Sequence, residues 1–181
     1  FNYFLTISSS HVFKKSFKKL NENSIKKPSN FYGKSKLRLE NYILKNSKKF
    51  KFKIGIARIF NYDKHNQKKG IVSNDIIDKL NNRDQIIYLN NINTYRDFIS
   101  MENINTALYK MISLKLTNDF NICSGQKIYL PKIINILNRK FLNKKIIFDK
   151  KKLPGLIGSN IKLRKKGWKI KKSNFLNDLL K

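Results

Sequence analysis

The chain has 181 residues, of which 40 are basic and 11 acidic, and its formal charge is +29 at pH 7. This length can bury one sizeable hydrophobic core, so we expect a single domain or part of one. The one cysteine excludes an internal disulfide and fits a reducing compartment such as the cytoplasm. No apolar run reaches about 18 residues, so the sequence predicts no membrane-spanning helix.

The positive charge alone would favour a nucleic acid or an anionic membrane as partner. The composition weakens that interpretation, because 34 lysines and only 6 arginines are spread along the whole chain among 24 asparagines and 25 isoleucines. Arginine is the side chain suited to forked contacts with phosphate and guanine. We therefore do not expect a nucleic-acid partner. A lysine-rich nucleic-acid-binding protein is the alternative from another class, and a steep salt dependence of binding would favour it.

The first 62 residues predict a strand, a helix and a second strand. Residues 1–10 are an apolar strand that ends in three serines, and a lysine-rich loop follows at 14–30. A helix is predicted from Tyr32 to about Lys48, and residues 53–60 form a continuous apolar strand with one charge. The helix pattern places Leu37, Leu39, Ile43 and Leu44 inward, and Arg38 and Glu40 outward. Strand, helix and strand in this order imply a parallel crossover.

The rest of the chain predicts alternating helices and strands. Helices are expected at 74–80, 101–116, 130–142 and 171–180, and strands at 85–89, 120–123 and 146–148. Within the helix at 101–116, the predicted inward residues are Ile104, Leu108, Met111 and Ile112. Cys123 is predicted to be a small buried residue at the end of its strand.

Tyr32 and Lys36 lie four positions apart at the start of the first helix, so they share one face. The serines lie at the carboxyl end of a buried strand, where open α/β sheets bind their ligands. Tyrosine has a pKa near 10, and a lysine ammonium nearby favours the phenolate. This set suits proton transfer to or from a sugar hydroxyl. A solvated tyrosine and lysine after a loop is the alternative, because 34 lysines produce this spacing by chance.

Residues 6–44 resemble the active-site segment of the extended short-chain dehydrogenase/reductase family, which has a strand, a Ser/Thr, "Tyr-Gly-x-Ser-Lys" and a helix. Later segments resemble further family motifs in the same order. These are Arg58-Ile59-Phe60-Asn61 and the segments at 95–103, 120–125 and 156–168. The pattern is most similar to the branch acting on GDP-mannose and its 4-keto-6-deoxy derivative. That assignment rests on three segments. They are the loop that follows Phe60-Asn61 and runs to residues 70–72, the Arg96-Asp97-Phe98 motif, and residues 154–163.

The resemblance implies an α/β fold with a doubly wound, Rossmann-like parallel sheet, truncated at its N-terminus, and a smaller C-terminal substrate-binding lobe. Residues 1–181 would form one partial domain, with the catalytic strand-helix-strand part at 1–62 and the substrate lobe within 63–181. It also implies NAD or NADP as cofactor, a nucleotide-sugar substrate, and a homodimer formed through the helix that bears Tyr32 and Lys36. The expected activity is that of a nucleotide-sugar oxidoreductase or epimerase acting at sugar C4, similar to GDP-4-keto-6-deoxymannose reductase. GDP-mannose 4,6-dehydratase and UDP-sugar 4-epimerase are the alternatives, and an inactive fragment is a further one.

The resemblance also implies roles for individual residues. The catalytic residues would be Ser9, Tyr32 and Lys36, and the cofactor would contact Tyr32, Lys36 and Phe60. The substrate would contact Ser10, His11, Asn61 and Arg96. Arg96 could either hold a substrate phosphate or form a structural ion pair with Asp97.

The sequence departs from the family pattern at three points. None of its 7 glycines forms the glycine-rich phosphate-binding loop, so we expect a fragment with part of the cofactor site missing. His11 stands where the 4,6-dehydratases usually carry an acid, which argues against dehydration; it could itself donate a proton or have no role. Lysines at 150–152 replace an expected arginine. The two histidines, His11 and His65, are far apart in sequence, so no metal site is predicted.

Overall fold

The computed structural model describes residues 2–62, 84–141 and 144–171. The helices are α1 (Phe31–Asn46), α2 (Met101–Ser113), α3 (Leu130–Phe141) and α4 (Ile161–Arg164), with short 3-10 turns at Ser10–Val12 and Ser47–Lys49. The strands are β1 (Tyr3–Ser9), β2 (Lys53–Ile59), β3 (Asn61–Tyr62), β4 (Ile86–Leu89), β5 (Tyr95–Arg96), β6 (Phe98–Ile99), β7 (Asn118–Ile122), β8 (Ile128–Tyr129) and β9 (Lys145–Phe148).

Most predicted elements within the described residues are confirmed, with ends that differ by a few residues. The predicted helix at 74–80, residues 172–180 of the last predicted helix, and residues 63–72 of the loop after β2 lie outside the described residues. His65 also lies there. The short strands β3, β5, β6 and β8 were not predicted, because two residues are too few to show a periodic pattern.

The main sheet contains β1, β2 and β7, all parallel, with β2 in the centre. Ser9 of β1 pairs with Ile59 of β2, and Ile59 pairs with Ile122 of β7. The predicted parallel crossover through α1 is therefore confirmed. Because the three strands end in register, their carboxyl ends lie at one edge of the sheet, where the cleft described below opens.

The orientation of α1 differs from the prediction. Glu40 is buried, whereas Leu39 and Leu44 are 42% and 45% exposed, so the predicted phase of this helix is wrong at these three positions. The reason lies in β2, where the fully buried Arg58 requires a carboxylate partner. Arg58 Nε and Nη2 each donate a 2.8 Å hydrogen bond to the Glu40 carboxylate. An ion pair rather than an apolar contact thus sets which side of α1 faces the sheet.

A second carboxylate completes the environment of Arg58. Arg58 Nη2 lies 2.6 Å from Asp119 Oδ2, at the start of β7, and Ser8 Oγ donates a 2.5 Å hydrogen bond to Glu40. Burial alone would lower the pKa of Arg58, but the hydrogen bonds and charges of Glu40 and Asp119 raise it above its ordinary value. The network connects all three strands of the main sheet to α1.

Two hydrophobic clusters lie on different parts of the fold. The first packs α2 against the main sheet through Ile104, Ala107 and Met111, and includes Phe120 and Ile122 of β7. Ile112 was predicted to face inward, but its side chain is 52% exposed. Ala107 lies on the inner face instead, about one helical turn from both Ile104 and Met111. The second cluster surrounds the β4–β9 pair and α3, and its buried members are Ile87, Leu89, Ile92, Phe98, Leu130, Ile133 and Ile134.

The lysine-rich loop at 14–30 is anchored to the segment at 155–159. Ser16 and Gly155 exchange two backbone hydrogen bonds of 2.9 and 3.0 Å. Leu20 donates to Ile157 O and accepts from Ser159 N–H, at 2.7 and 2.8 Å, and its side chain is buried. The loop is therefore held in place by backbone hydrogen bonds to this segment. Among the described residues, no helix combines the length and the apolar character needed to cross a membrane.

Candidate active site

A cleft of about 530 Å³ opens at the carboxyl ends of β1 and β2. The side facing the main sheet is formed by β1, β2 and the start of α1, and the opposite side by α2. Six of the predicted site residues line it: Ser9, Ser10, His11, Tyr32, Phe60 and Asn61. Its volume is in the range of small-molecule sites.

The three serines at the end of β1 differ in their contacts. Ser8 Oγ is engaged with Glu40, whereas Ser9 Oγ accepts a 3.3 Å hydrogen bond from the His11 backbone N–H. Because Ser9 Oγ accepts there, its own O–H remains able to donate to a ligand. Ser10 Oγ is buried and has no hydrogen-bond partner among the described residues. A buried hydroxyl without a partner is costly, so it points to a ligand or water in the cleft.

Tyr32 and Lys36 lie on the first two turns of α1. The Tyr32 side chain is 51% exposed, and Lys36 Nζ lies 5.8 Å from the centre of its ring. Lys36 Nζ also donates a 3.0 Å hydrogen bond to the carbonyl oxygen of Ile7 in β1. That bond uses one of the three ammonium hydrogens and leaves two for other acceptors.

Gly33 allows α1 to begin directly against the end of β1. A Cβ atom at this position would lie 2.3 Å from the His11 carbonyl oxygen and 2.9 Å from Pro28 Cβ. Contacts this short do not occur, so any side chain here would displace the helix. The glycine between Tyr32 and Lys36 therefore sets how closely the two residues approach the serines.

His11 lies between Asn30 and Tyr32. Its Nδ1 is 3.1 Å from Asn30 Nδ2, and its ring meets the Tyr32 ring edge-on with 5.9 Å between ring centres. Burial lowers the pKa of His11, and the charges of Arg96 and Lys15 lower it further. The imidazole is therefore neutral near pH 7.

Arg96, in β5, is not among the residues that line the cleft. Its Nη1 donates to Tyr95 O at 3.2 Å and to Thr94 Oγ1 at 3.4 Å. The ion pair with Asp97 that the sequence left open does not form between these two described residues. Burial lowers the pKa of Arg96, which nevertheless remains a cation.

Asp97 does not pair with Arg96 and instead accepts hydrogen bonds from two neighbouring loop segments. Its carboxylate accepts hydrogen bonds from Ser124 N–H, Ser124 Oγ, Gly125 N–H and Gly158 N–H, at 2.6 to 3.1 Å. Burial raises its pKa even though these bonds favour the charged form. The neighbouring Cys123 is buried as predicted, and burial together with the charges of Asp97 and Glu22 raises its pKa well above the ordinary value. Cys123 is therefore an unreactive thiol.

Phe60 and Asn61 follow the end of β2. Phe60 is 2% exposed, so only a small part of its ring can touch a bound molecule. Asn61 Nδ2 donates a 3.2 Å hydrogen bond to Asp97 O, which leaves one amide hydrogen and the amide oxygen for a ligand.

Two polar residues important to the site were not recognised from sequence. Asn30 caps α1, with Oδ1 accepting from Gly33 N–H at 2.8 Å, and an asparagine directly before a predicted helix is a usable signal for this role. Glu40 was placed outward, although a lone arginine in an apolar strand indicates that a buried carboxylate must lie nearby. Within the described residues there is no group of three or more side chains able to bind a metal ion.

Comparison with solved structures identifies the fold. RMD from Pseudomonas aeruginosa, in complex with NADPH, superposes with a TM-score of 0.74 at 24% identity and covers 97% of this chain. A proposed epimerase from Burkholderia cenocepacia superposes with a TM-score of 0.77 at 26% identity and covers 97% of this chain. UDP-glucuronic acid 4-epimerase from Bacillus cereus, in complex with UDP-glucuronic acid and NAD, superposes with a TM-score of 0.74 at 18% identity and covers 98% of this chain. The chain spans 65%, 60% and 59% of these three proteins, respectively.

By sequence alone, no curated protein matches the chain. The structural matches confirm the predicted α/β, Rossmann-like fold. The sequence profile of the family described as GDP-mannose 4,6 dehydratase matches residues 2–171. Since that match includes nearly the whole chain, the protein belongs to the GDP-mannose 4,6-dehydratase family of the extended short-chain dehydrogenases/reductases.

Proposed function

We propose that this chain carries the proton-transfer and substrate-binding residues of an NAD(P)-dependent nucleotide-sugar oxidoreductase or epimerase acting at sugar C4, similar to GDP-4-keto-6-deoxymannose reductase. The observation that carries the proposal is the meeting of Ser9, Ser10 and Tyr32 in one cleft, with Lys36 beside Tyr32. Binding of NADPH by RMD and of UDP-glucuronic acid and NAD by the Bacillus cereus enzyme supports the choice of cofactor and substrate class.

Each residue supplies one part of the chemistry. The Ser9 hydroxyl donates a hydrogen bond to the oxygen on sugar C4, and Tyr32 gives a proton to that oxygen or takes one from it. Lys36, whose Nζ lies 5.8 Å from the centre of the Tyr32 ring, holds a ribose of the cofactor. The nicotinamide cofactor supplies or accepts the hydride at C4 when it is bound.

The residues at the cleft fit a nicotinamide nucleotide. Lys36 has two ammonium hydrogens left for ribose hydroxyls after its bond to Ile7, and Tyr32 is exposed on the same helix face. Asn61, which lines the cleft, is a donor for the substrate diphosphate. Arg96 is the second proposed donor; it does not line the cleft, but its charge acts on His11, which does. The residues that would hold the rest of the cofactor are not part of this cleft.

Dehydration of GDP-mannose is the second candidate, because the family profile that matches carries that activity in its description. His11 argues against it. Dehydratases of the family usually carry an acid at this position. Because the pKa of His11 is lowered, its ring is neutral near pH 7 and the charged form that could protonate a departing hydroxyl is scarce. The epimerases among the structural matches make a UDP-sugar 4-epimerase the third candidate.

The test is turnover by the complete gene product on a panel of GDP- and UDP-sugars, with NADH or NADPH for reduction and with NAD⁺ or NADP⁺ for dehydration and epimerisation. Tyr32→Phe is assayed beside it. We expect Tyr32→Phe to lower kcat by about 100-fold or more, since general acid–base catalysis contributes about that much. Tyr109→Phe is the control, because Tyr109 is a 75% exposed tyrosine outside the cleft. Turnover unchanged by Tyr32→Phe would contradict the proposal, and the sugar that reacts would decide among the three candidates.

A family homodimer is also part of the proposal. Phe31, Leu39 and Tyr42 lie within one sector of α1 and are 80%, 42% and 63% exposed. Three exposed apolar side chains on the helix that bears the catalytic residues fit pairing with a second copy.

A further inference from the structure

The hydrogen bond between Asn30 and His11 has a defined direction. Asn30 Oδ1 accepts from Gly33 N–H at 2.8 Å, so the amide cannot be turned around without losing the cap of α1. The group that faces His11 Nδ1 at 3.1 Å is therefore the amide nitrogen, which can only donate. Nδ1 must accept, and the single proton of the neutral ring lies on Nε2.

Burial and the two cations near the ring favour this neutral form. Arg96 from β5 and Lys15 from the loop after β1 act on His11 as positive charges, and Tyr32 of α1 meets its ring edge-on. Protonation of Nδ1 would also set it against the Asn30 amide hydrogens. Within the described ranges, no carboxylate forms a hydrogen bond or ion pair with the ring, and Nε2 has no protein partner.

We propose that Asn30 holds His11 as a neutral imidazole with its proton on Nε2, so that His11 binds a ligand oxygen as a hydrogen-bond donor and does not transfer a proton. Asn30 is thus a positioning residue for His11 in addition to the cap of α1. The unpartnered Ser10 Oγ lines the same cleft and offers a second hydroxyl donor. Two neutral donors suit a carbonyl or hydroxyl oxygen of the sugar.

The inference about the proton on His11 rests on the geometry of the Asn30 contact and on the cations near the ring, whereas the role in substrate binding rests on the proposed function. An imidazole N–H that stays in place polarises a ketone and favours reduction or epimerisation at C4. It cannot supply the proton that loss of a hydroxyl requires. His11 would then restrict the site to reactions in which the sugar loses no hydroxyl group.

The first experiment measures the proton position directly. Two-bond ¹H–¹⁵N correlation spectra of the ¹⁵N-histidine-labelled gene product distinguish Nδ1–H, Nε2–H and charged imidazoles. The His11 signal is identified by its absence in His11→Gln. We expect the Nε2–H form at pH 7 without any ligand. An Nδ1–H or charged ring in the wild type would overturn the proposal.

The matched variant is Asn30→Asp. Aspartate caps a helix as well as asparagine does, but its carboxylate only accepts, so the nitrogen of His11 that faces it must carry a proton. We expect the proton to appear on Nδ1, with the charged fraction at pH 7 raised by about tenfold or more. An unchanged His11 signal would contradict the role of Asn30. Should Asn30→Asp fail to fold, Asn30→Ser keeps a cap without the amide donor, and we expect both tautomers to be populated.

The second experiment tests the substrate role on the sugar that the complete gene product turns over. Glutamine can place an N–H close to the position of imidazole Nε2 but cannot transfer a proton, whereas leucine offers no donor. We expect kcat/KM of His11→Gln to exceed that of His11→Leu by about tenfold, the usual net contribution of one hydrogen bond. Equal kcat/KM values in the two variants would contradict the proposal. If both are lower than the wild-type value, His11 acts as a proton donor, and if both equal it, His11 plays no role. Absence of turnover in the wild type would contradict the proposed function and leave the spectroscopic result valid.

Discussion

His11 illustrates how the surroundings of a residue decide its chemistry. Its position after the serines resembles that of an acid in related dehydratases, yet burial and the charges of Arg96 and Lys15 lower its pKa. The neighbours that cause this come from β5 and from the loop after β1. The sequence alone therefore predicted that His11 lies at the site but could not predict its protonation state.

The lowered pKa of His11 predicts a pH-dependent stability. In the unfolded chain His11 titrates at its ordinary value of about 6.5, and in the folded protein it titrates below that value. Between the two values the unfolded state binds more protons, so stability decreases as pH falls below about 6.5 and the loss ends once the folded pKa is passed. We expect the free energy of unfolding, measured with urea, to fall less between pH 7 and pH 5 in His11→Gln than in the wild type. Equal losses would contradict the shift.

The packing of α1 on β2 depends on a buried ion pair, which the hydrophobic pattern of the helix did not predict. The pattern correctly predicted a helix and a following strand, with Leu37 packed inward and Arg38 exposed. It placed Glu40 outward because a carboxylate counts as polar whatever its partner is. The buried Arg58 reverses that assignment, since burying an unpaired guanidinium costs more than exposing Leu39 and Leu44. Periodicity carries no information about such pairs.

The Arg58 network predicts a large effect for a small substitution. Glu40→Gln keeps the size of the side chain but leaves the buried Arg58 with Asp119 as its only carboxylate, and we expect the free energy of unfolding to fall by about 3 kcal/mol. Glu102→Gln is the matched control, because Glu102 pairs with Lys171 at the surface and both side chains are more than half exposed. Its loss should be below about 1 kcal/mol. Similar losses for the two variants in urea unfolding would show that the network is not needed for stability.

At the scale of the whole molecule, the sequence predicted the order of the elements and the place of the cleft. In a parallel crossover the helix begins on the side of the sheet where the first strand ends, so the serines and the start of α1 were expected at the same edge. The fixing of the loop at 14–30 by residues 155–159 could not be predicted, because its hydrogen bonds are backbone contacts between segments far apart in sequence. The four donors that converge on Asp97 could not be predicted either, because they lie far from Asp97 in sequence.

The exposed face of α1 predicts the oligomeric state. The double substitution Leu39→Glu with Tyr42→Glu places two negative charges on that face, and we expect sedimentation velocity to show a monomer where the wild type is a dimer. Asn41→Glu is the control, since Asn41 is exposed on a different side of the same helix. A dimer that persists in the double variant, or a wild type that is monomeric, would contradict pairing through α1.

The anchored loop after β1 has a consequence for protease sensitivity. Six lysines lie within residues 14–30, and an ordinary exposed loop of that composition would be the first site of tryptic digestion. The backbone hydrogen bonds of Ser16 and Leu20 hold this stretch in place, and a protease needs an extended, detached segment. We expect slow tryptic cleavage after Lys18 and Lys19 relative to the exposed Lys48. Gly155→Ala, whose Cβ would lie 2.2 Å from the Tyr95 carbonyl oxygen, should accelerate it. The rate of a single cut would then report whether the loop at 14–30 is attached to the segment at 155–159.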